Sequence, residues 1–288
     1  MIKKGIVLAG GKGTRLSPIT KSVNKQLLPI YDKPLFFYPI SILMLADIRQ
    51  ILLIVNKGQK KNFYKIIGNG KHLGLNINYE EQNKPNGIPE SFKIGEKFIG
   101  SNNVALILGD NFFYGQGLND QLQKIRTFNS GCTIYLKDVS NPENYGVVKT
   151  NRKKIDLIVE KPKKFISSKA ITGLYLFDNK VVNLSKKLKP SKRKETEIVD
   201  LIKYYKKKNN LNYVTLGRGA IWSDAGKIED FTNINNFVTS VEKVQRFKIG
   251  CLDEIAYKKR WITKKQLHNN IKFYGNCPYS DYLKNLKN

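Results

Sequence analysis

The chain has 288 residues, of which 41% are hydrophobic and 26% are charged, and these are the proportions of an ordinary globular protein. Its length allows one large α/β domain or a domain with an appendage. No stretch approaches the roughly 18 consecutive apolar residues that a membrane-spanning helix needs, and the apolar run after Lys3 and Lys4 breaks at Gly10, short of a signal sequence. We therefore expect no membrane partner and a cytoplasmic location.

The chain is strongly basic. Lysine and arginine number 51 against 23 aspartate and glutamate residues, which gives a formal net charge of +28. Such an excess can indicate a nucleic-acid partner. Most of it is lysine in short runs spread along the chain, however, and charge runs are usually solvated faces. We expect no nucleic-acid partner, and a nucleic-acid-binding protein is kept only as the alternative from another class. Anionic small molecules remain candidate ligands.

The cysteine and histidine residues do not form a pattern typical of a metal or disulfide scaffold. Cys132, Cys251 and Cys277 are odd in number and far apart, and His72 and His268 are the two histidines. These counts disfavour a disulfide framework and a Cys/His zinc site.

The first half of the chain alternates short apolar runs with amphipathic segments, which predicts repeated strand–helix units. The predicted strands are Gly5–Leu8, Gln50–Val55, Asn76–Glu80 and Val104–Leu108. The predicted helices are Leu35–Ala46, Gln59–Ile67, Glu90–Phe98 and Leu118–Phe128. The expected fold class is therefore α/β, with an open, doubly wound and mostly parallel sheet.

The second half begins with closely spaced strands separated by turn signals, which predicts mixed pairing in the middle of the sheet. These strands are Thr133–Leu136, Tyr145–Thr150, Ile155–Val159 and Thr172–Phe177. Helices Val181–Leu188 and Glu197–Lys208 and strand Tyr213–Leu216 follow. From residue 228 the apolar spacing is helical, over Ile228–Val244, Asp253–Trp261, Lys264–Asn270 and Tyr279–Leu286, and predicts a helical C-terminal subdomain.

A glycine-rich loop, Leu8–Pro18, follows the first strand. Glycine allows positive φ and leaves room for backbone N–H groups to approach phosphate oxygens. The loop is neither a P-loop, because position 6 is Ile, nor a G-x-G-x-x-G motif, because position 16 is Leu. Arg15 offers a bidentate clamp, and Lys25 adds a second cation. The loop is a candidate phosphate cradle, and its alternative is a plain strand–helix turn.

Two aspartates follow strands and could share one metal ion. Asp110 comes after the apolar strand that ends at Leu108, where open α/β sheets bind ligands, and Asp224 lies in a Ser-Asp-Ala-Gly turn. Mg²⁺ favours a few carboxylates together with phosphate oxygens. For an isolated aspartate, the alternative interpretation is a helix cap.

Several polar or glycine breaks interrupt the middle strands. Glu160-Lys161-Pro162 ends a strand, with an ordinary ion pair as its alternative interpretation. Tyr145-Gly146 and Ile171–Tyr175 are further breaks, at places where a backbone can approach a ligand. A neutral polyol would suit them.

Seven segments taken together closely resemble the bacterial glucose-1-phosphate thymidylyltransferases, also called dTDP-glucose pyrophosphorylases, over essentially the whole chain. They are Leu8–Thr20, Asn24–Pro29, Leu108–Gly115, Tyr145–Val148, Glu160–Pro162, Thr172–Tyr175 and Trp222–Gly226. The resemblance implies a Rossmann-like nucleotidyltransferase fold and an Mg²⁺-dependent condensation of dTTP with α-D-glucose 1-phosphate, which gives dTDP-glucose and pyrophosphate. It also implies the first step towards dTDP-rhamnose or related deoxysugars, a homotetramer, and feedback inhibition by dTDP-rhamnose at a second site.

The resemblance also assigns residues to roles. Catalysis would use Arg15, Lys25, Asp110, Lys161 and Asp224, of which Asp110 and Asp224 would bind Mg²⁺. The nucleotide would be bound by Leu8, Gly10, Gly11, Gly13, Thr14, Arg15, Lys25, Gln26, Gln82, Gly87 and Asp110. The sugar phosphate would be bound by Asn111, Tyr145, Gly146, Glu160, Lys161, Ile171 and Tyr175. The predicted core is 1–227, with a nucleotide half at about 1–130 and a sugar-phosphate half at about 131–227, followed by the helical subdomain 228–288.

Two segments depart from the family pattern. The family usually reads Pro-x-Gly-Leu-Ala-Gln-Ala where this chain has Pro85-Asn86-Gly87-Ile88-Pro89-Glu90-Ser91, and Trp-Leu-Asp-Thr-Gly is common where it has Trp222-Ser223-Asp224-Ala225-Gly226. The second change keeps the carboxylate. The first touches the nucleoside pocket, so another sugar-1-phosphate nucleotidyltransferase, using UTP or a modified sugar, stays open as the alternative.

Overall fold

The structure is a computed structural model that describes residues 2–11, 13–152, 154–191 and 193–286. Its strands are β1 Lys4–Ala9, β2 Pro29–Ile30, β3 Lys33–Pro34, β4 Gln50–Asn56, β5 Asn76–Gln82, β6 Val104–Leu108, β7 Phe112–Gly115, β8 Cys132–Asp138, β9 Gly146–Asn151, β10 Lys154–Glu160, β11 Lys169–Phe177, β12 Leu211–Thr215 and β13 Ala220–Ser223. Its α-helices are α1 Phe37–Leu45, α2 Lys60–Ile67, α3 Glu90–Ile94, α4 Glu96–Ile99, α5 Leu118–Arg126, α6 Val181–Lys186, α7 Ile198–Lys207, α8 Ile228–Gln245, α9 Leu252–Lys258, α10 Lys264–Tyr274 and α11 Pro278–Lys284.

A nine-stranded mixed sheet forms the centre of the molecule. Its order is β10-β9-β11-β6-β1-β4-β5, and β8 pairs with both β11 and β12. Strands β6, β1, β4 and β5 run parallel, whereas β11 is antiparallel to β6. The inner strands β1, β4 and β6 are continuous apolar runs because helices cover both faces of the sheet. The predicted α/β class with mixed pairing in the middle is confirmed.

The parallel register brings the carboxyl ends of β1, β4, β5 and β6 to one edge. Leu8 pairs with Ile54 and Leu108, and Asn56 pairs with Gln82. The loops after these strands therefore open on the same side of the sheet, which is where α/β proteins bind ligands.

Two strand pairs, β2 with β3 and β7 with β13, were not predicted from the sequence. Strand β7 pairs with β13, and Phe113 lies opposite Trp222. This pairing carries the Trp222–Gly226 segment to the end of β6. The first two residues of that segment are therefore strand rather than turn.

The other predicted elements are present, with ends that differ by a few residues. The helix predicted over Glu90–Phe98 is two short helices, α3 and α4, which meet at Gly95. Glycine is a poor helix former, and this accounts for the break.

Among the described residues after 227, every regular element is a helix. Helix α9 packs on α1, and Leu252 and Ala256 belong to the same apolar cluster as Leu43. In the part of the chain that the structure describes, no helix is both long and apolar enough to cross a membrane.

Candidate active site

The glycine-rich loop is held from the neighbouring strand β4. The Gly11 N–H donates to Oδ1 of Asn56 (3.0 Å), and Nδ2 of Asn56 donates to the Gly11 carbonyl (2.8 Å). Gly11 and Gly13 have φ values of 99° and 59°, a region that glycine adopts without strain. The hydroxyl of Thr20 donates to the Gly13 carbonyl (2.8 Å). Gly11 and Gly13 are thus each held by a hydrogen bond to a side chain outside the loop.

A cavity of about 570 Å³ lies beside this loop. Of the predicted nucleotide-binding residues, Gly11, Thr14, Lys25 and Gln82 line it. Arg15 is exposed and lies close to the Asp224 turn, because a Cβ built on Gly226 would be 3.2 Å from an Arg15 guanidinium nitrogen. Leu8 supports the site through its backbone, since its carbonyl accepts from the Gly109 N–H (2.9 Å).

Two glutamines lie on either side of Gly10. Nε2 of Gln26 donates to the Gly10 carbonyl (3.0 Å), and Oε1 of Gln26 is buried without a partner among the described residues. Oε1 of Gln82 lies on the other side, where a Cβ on Gly10 would come within 2.6 Å of it. Gly10 is therefore required for a close approach, and both glutamines have a side-chain acceptor beside it.

Gly87 also lies at a close approach. Its φ is 106°, and a Cβ there would be 2.0 Å from the Thr196 carbonyl oxygen. The Thr196 N–H donates to the carbonyl of the preceding residue, Asn86 (2.8 Å). The segment after Gln82 is thus anchored to the start of α7.

Lys25 joins the two predicted metal ligands. Its Nζ donates to Oδ2 of Asp110 (2.6 Å) and to the backbone carbonyl of Asp224 (3.1 Å). Lys25 is only 7% exposed. A buried ammonium needs such partners.

Gly109 lets β6 pass close to β1, since a Cβ there would lie 2.9 Å from Cα of Ala9.

The carboxylate of Asp224 lies in an environment that disfavours its charge. Burial raises its pKa, the nearby Asp110 raises it further, and Lys25 and Arg15 oppose both effects. The Tyr145 hydroxyl donates to Oδ1 of Asp224 at a long 3.5 Å.

Two neighbouring carboxylates that repel each other fit a divalent cation, because the cation would relieve the repulsion. No group of three or more His, Cys, Asp and Glu side chains that could hold a metal occurs among the described residues. Asp110 and Asp224 would hold Mg²⁺ as a pair, and phosphate oxygens and water would supply the other ligands.

Asn111 is a fully buried support for this pair. Its Oδ1 accepts from the Gly173 N–H (2.9 Å) and from Nε1 of Trp222 (2.6 Å), and its Nδ2 donates to Oδ1 of Asp110 (3.0 Å). A Cβ on Gly173 would lie 2.3 Å from Oδ1 of Asn111. The network therefore orients Asp110 from β11 and β13. Direct contact between Asn111 and a sugar phosphate stays a prediction.

Five of the residues predicted for the sugar phosphate lie around the ends of β9 and β10, whereas Asn111 follows β6 and Tyr175 lies within β11. Gly146 pairs with Glu160, and a Cβ on Gly146 would lie 3.1 Å from a Glu160 carboxylate oxygen and 3.4 Å from Cδ1 of Ile171. The backbone N–H of Lys161 donates to the Tyr145 carbonyl (2.9 Å). Lys161 is exposed, with a φ of 44°. Such a φ is uncommon for a residue with a side chain.

Electrostatics connects this group to the two aspartates. Burial raises the pKa of the Glu160 carboxyl, and Glu197 raises it further, while Arg193 opposes the shift from 3.2 Å. Tyr175 is 3% exposed, and this burial raises the pKa of its hydroxyl. The negative charges of Glu160 and Asp110 raise the same pKa further. The contacts of Tyr145 with Asp224 and of Asn111 with Asp110 bring members of the two predicted sets together at one edge of the sheet.

Several supporting residues were missed by sequence reasoning. They are Thr20, Asn56, Glu90, Arg193 and Trp222 as a hydrogen-bond donor. Asn56 could have been found, because it ends β4 at the edge where parallel strands present their ligands. Trp222 is partly buried, with its ring 5.1 Å from that of Tyr145.

Comparison with known proteins places this chain in a family. Residues 4–241 match the family model described as Nucleotidyl transferase. A glucose-1-phosphate thymidylyltransferase of Neisseria meningitidis is 44% identical over 98% of this chain and 99% of its own, and that of Mycobacterium tuberculosis is 40% identical over 98% of both. A Bacillus anthracis crystal structure described as a glucose-1-phosphate thymidylyltransferase is 37% identical, with a TM-score of 0.75, over 81% of this chain and 94% of that one. The chain belongs to the nucleotidyl transferase family, among its glucose-1-phosphate thymidylyltransferases.

Proposed function

We propose that the protein transfers the thymidylyl group of dTTP to α-D-glucose 1-phosphate and releases pyrophosphate. The observation that carries this proposal is Lys25, whose Nζ contacts both Asp110 and Asp224 beside the glycine-rich loop. Lys25 and the candidate metal ligands Asp110 and Asp224 thus lie together, between the glycine-rich loop and the Tyr145–Lys161 region. The names of relatives at 40 to 44% identity support the same activity.

The chemistry is an in-line substitution at phosphorus. An oxygen of the sugar phosphate forms a bond to the α-phosphorus of dTTP, and the bond from that phosphorus to the pyrophosphate oxygen breaks. No covalent intermediate with the protein is needed. The enzyme must orient two anions and neutralise charge that moves to the leaving group.

The chain's own residues divide this work. Backbone N–H groups of the glycine-rich loop, such as those of Gly13 and Thr14, bind the triphosphate and the departing pyrophosphate together with Arg15 and Lys25. Lys161 binds the phosphate of the sugar, which keeps the nucleophile from being repelled. When bound by Asp110 and Asp224, Mg²⁺ would add positive charge at the reacting phosphates.

The remaining predicted residues surround the nucleoside of dTTP and the sugar of glucose 1-phosphate. Gln26, Gln82 and Gly87 bind the nucleoside, within a nucleotide half at about 1–130. Glu160 accepts from glucose hydroxyls, and Tyr145, Gly146, Ile171 and Tyr175 form the walls, within a sugar half at about 131–227. Glu160 suits this role because Arg193 occupies only one of its oxygens, Oε1.

Regulation and assembly extend the proposal. A second cavity of about 1000 Å³ lies between α1, α5 and the segment before α9. Its lining includes Arg126, Lys248, Lys258 and Lys259, each of which also pairs with a carboxylate. Strand β7, which begins two residues after Asp110, also reaches it. This cavity suits feedback inhibition by dTDP-rhamnose, the product of the pathway that dTDP-glucose would enter. We also propose that the protein is a homotetramer and that residues 228–288 form a helical C-terminal subdomain. The proposed location is the cytoplasm, whose reducing conditions suit the three free cysteines.

A near alternative is a nucleotidyltransferase that uses UTP or a modified sugar. It is favoured by the altered Ile88-Pro89-Glu90 segment beside Gln82, because the amide of Gln82 cannot by itself distinguish thymine from uracil.

One assay tests the proposal against this alternative. Pyrophosphate release is measured while four nucleoside triphosphates are crossed with several sugar 1-phosphates. We expect the highest kcat/KM for dTTP with glucose 1-phosphate and modest use of UTP, since a missing methyl group costs only about 1 kcal/mol. A clear preference for UTP or for another sugar phosphate would contradict the proposal.

A further inference from the structure

Glu90, at the start of α3, accepts three hydrogen bonds from the segment that surrounds the predicted nucleoside pocket. Its Oε2 accepts from Nε2 of Gln82 (2.5 Å) and from the Asn86 N–H (3.2 Å). Its Oε1 accepts from Nδ2 of Asn86 (2.9 Å). Glu90 is partly buried, and Gln82 is 4% exposed. The contact with Gln82 is thus largely shielded from water.

An ionised carboxylate can only accept hydrogen bonds, so this contact fixes which way the Gln82 amide faces. With Nε2 turned to Glu90, Oε1 lies beside Gly10. Among the described residues none donates to Oε1 of Gln82. A half-turn of the amide would place Oε1 against the carboxylate, where two acceptors repel. The amide therefore presents one fixed pattern to the adjoining cavity: a free acceptor and the second N–H of Nε2.

The direction of a glutamine amide decides which pyrimidine it recognises. Thymine and uracil present the O4 acceptor beside the N3–H donor, whereas cytosine presents an N4–H donor beside the N3 acceptor. One orientation of an amide pairs with the first edge, and the flipped orientation pairs with the second. A glutamine that is free to flip would accept both.

We propose that Glu90 is a positioning residue that makes the site reject cytosine, because it prevents the flip of the Gln82 amide. The inference rests on the proposed function only in that the base must bind beside Gln82. The family that the chain resembles usually has glutamine at this place. A glutamine there can donate as well as accept, and would not fix the amide by itself. The device is thus a property of this chain.

The test is calorimetric binding of dTTP and dCTP without sugar phosphate, so that it does not depend on turnover. The measured quantity is the Kd for dCTP divided by the Kd for dTTP. In Glu90→Gln, we expect this ratio to fall about 10-fold, which corresponds to one hydrogen bond of about 1.4 kcal/mol. Asn86→Ala is the matched control, because it removes the other side chain on Glu90 and leaves Gln82 in place. Its ratio should stay that of the wild type. Thermal unfolding verifies that each variant folds, and Glu90→Ala serves if Glu90→Gln does not.

A double variant separates positioning from general loosening of the loop. In a Gln82→Met background, Glu90→Gln should leave the ratio unchanged, since no amide remains to be oriented. An unchanged ratio in Glu90→Gln, or an equal fall in Asn86→Ala, would overturn the proposal. A wild type that binds neither nucleotide would overturn it as well. Selective binding that is lost in Glu90→Gln, without pyrophosphate release, would instead support the role of Glu90 and contradict the proposed reaction.

Discussion

The Nζ of Lys25 lies 2.6 Å from Oδ2 of Asp110, although 85 residues separate them in the chain. Lys25 begins a short 3-10 helix after the glycine-rich loop, and Asp110 follows the central strand β6. The same Nζ contacts the Asp224 carbonyl, which β13 brings to this point. A buried cation thus links three separate segments at the predicted point of reaction.

We expect Asp110→Asn to lower kcat about 10²- to 10³-fold at saturating Mg²⁺, the usual effect of losing one preorganised electrostatic group. Asp224→Asn should act similarly, because it removes the other carboxylate. The exposed Asp281→Asn is the control and should leave kcat unchanged. Steady-state kinetics across Mg²⁺ concentrations gives the answer. Near-normal rates in both site variants would refute the metal assignment.

Lys161→Ala should raise KM for glucose 1-phosphate about 10-fold or more, because a charge-assisted hydrogen bond to one anion is lost. KM for dTTP should change little. Lys163→Ala, an exposed lysine two residues away, is the matched control. If dTTP binding weakened selectively, Lys161 would belong to the nucleotide instead.

Gly87→Ala should destabilise the fold, because alanine at a φ of 106° is strained and its Cβ would lie 2.0 Å from the Thr196 carbonyl. We expect a loss of at least about 2 kcal/mol in urea unfolding, and weaker dTTP binding. Gly117→Ala separates the two causes. Its φ of 77° and ψ of −1° lie in the left-handed helical region with open space around the position, so it should cost only about 1 kcal/mol. Equal losses would argue against the close approach at Gly87.

The half-buried His72 makes stability depend on pH. Burial lowers its pKa below the ordinary 6.5, and Asp253 opposes the shift. As pH falls below 6.5, the unfolded chain takes up the proton first, so this contribution to stability is lost. Its slope is at most about 1.4 kcal/mol per pH unit. Urea unfolding at several pH values should show a smaller decline in His72→Gln than in the wild type. The exposed His268→Gln should behave like the wild type, and an identical decline in His72→Gln would exclude this role.

Local sequence patterns were sufficient for most of the fold. The spacing of apolar residues and the glycine or polar residues that flank them locate strands such as β1 and β6 to within a residue, because each strand is a continuous apolar run between such breaks. They also locate Asp110, since residues after a central parallel strand lie at the ligand edge. Glycines in the first loop indicate phosphate binding for the same local reason.

Contacts between distant short segments could not be predicted this way. Strands β7 and β13 have four residues each, and nothing in either indicates its partner. The bond from Trp222 to Asn111 depends on that pairing and spans 111 residues. The Gln82–Glu90 contact depends on a loop path set by Gly87 and Thr196, and residue type alone does not reveal it.

Transfer of the thymidylyl group is tested by following the α-phosphorus of dTTP. The protein is incubated with Mg²⁺, glucose 1-phosphate and dTTP labelled at that phosphorus, and the products are separated. We expect the label to move into dTDP-glucose, with one pyrophosphate released per molecule formed and none of the label left on the protein. Label found in dTMP or bound to the protein, or no transfer when UTP reacts under the same conditions, would contradict the proposed transfer.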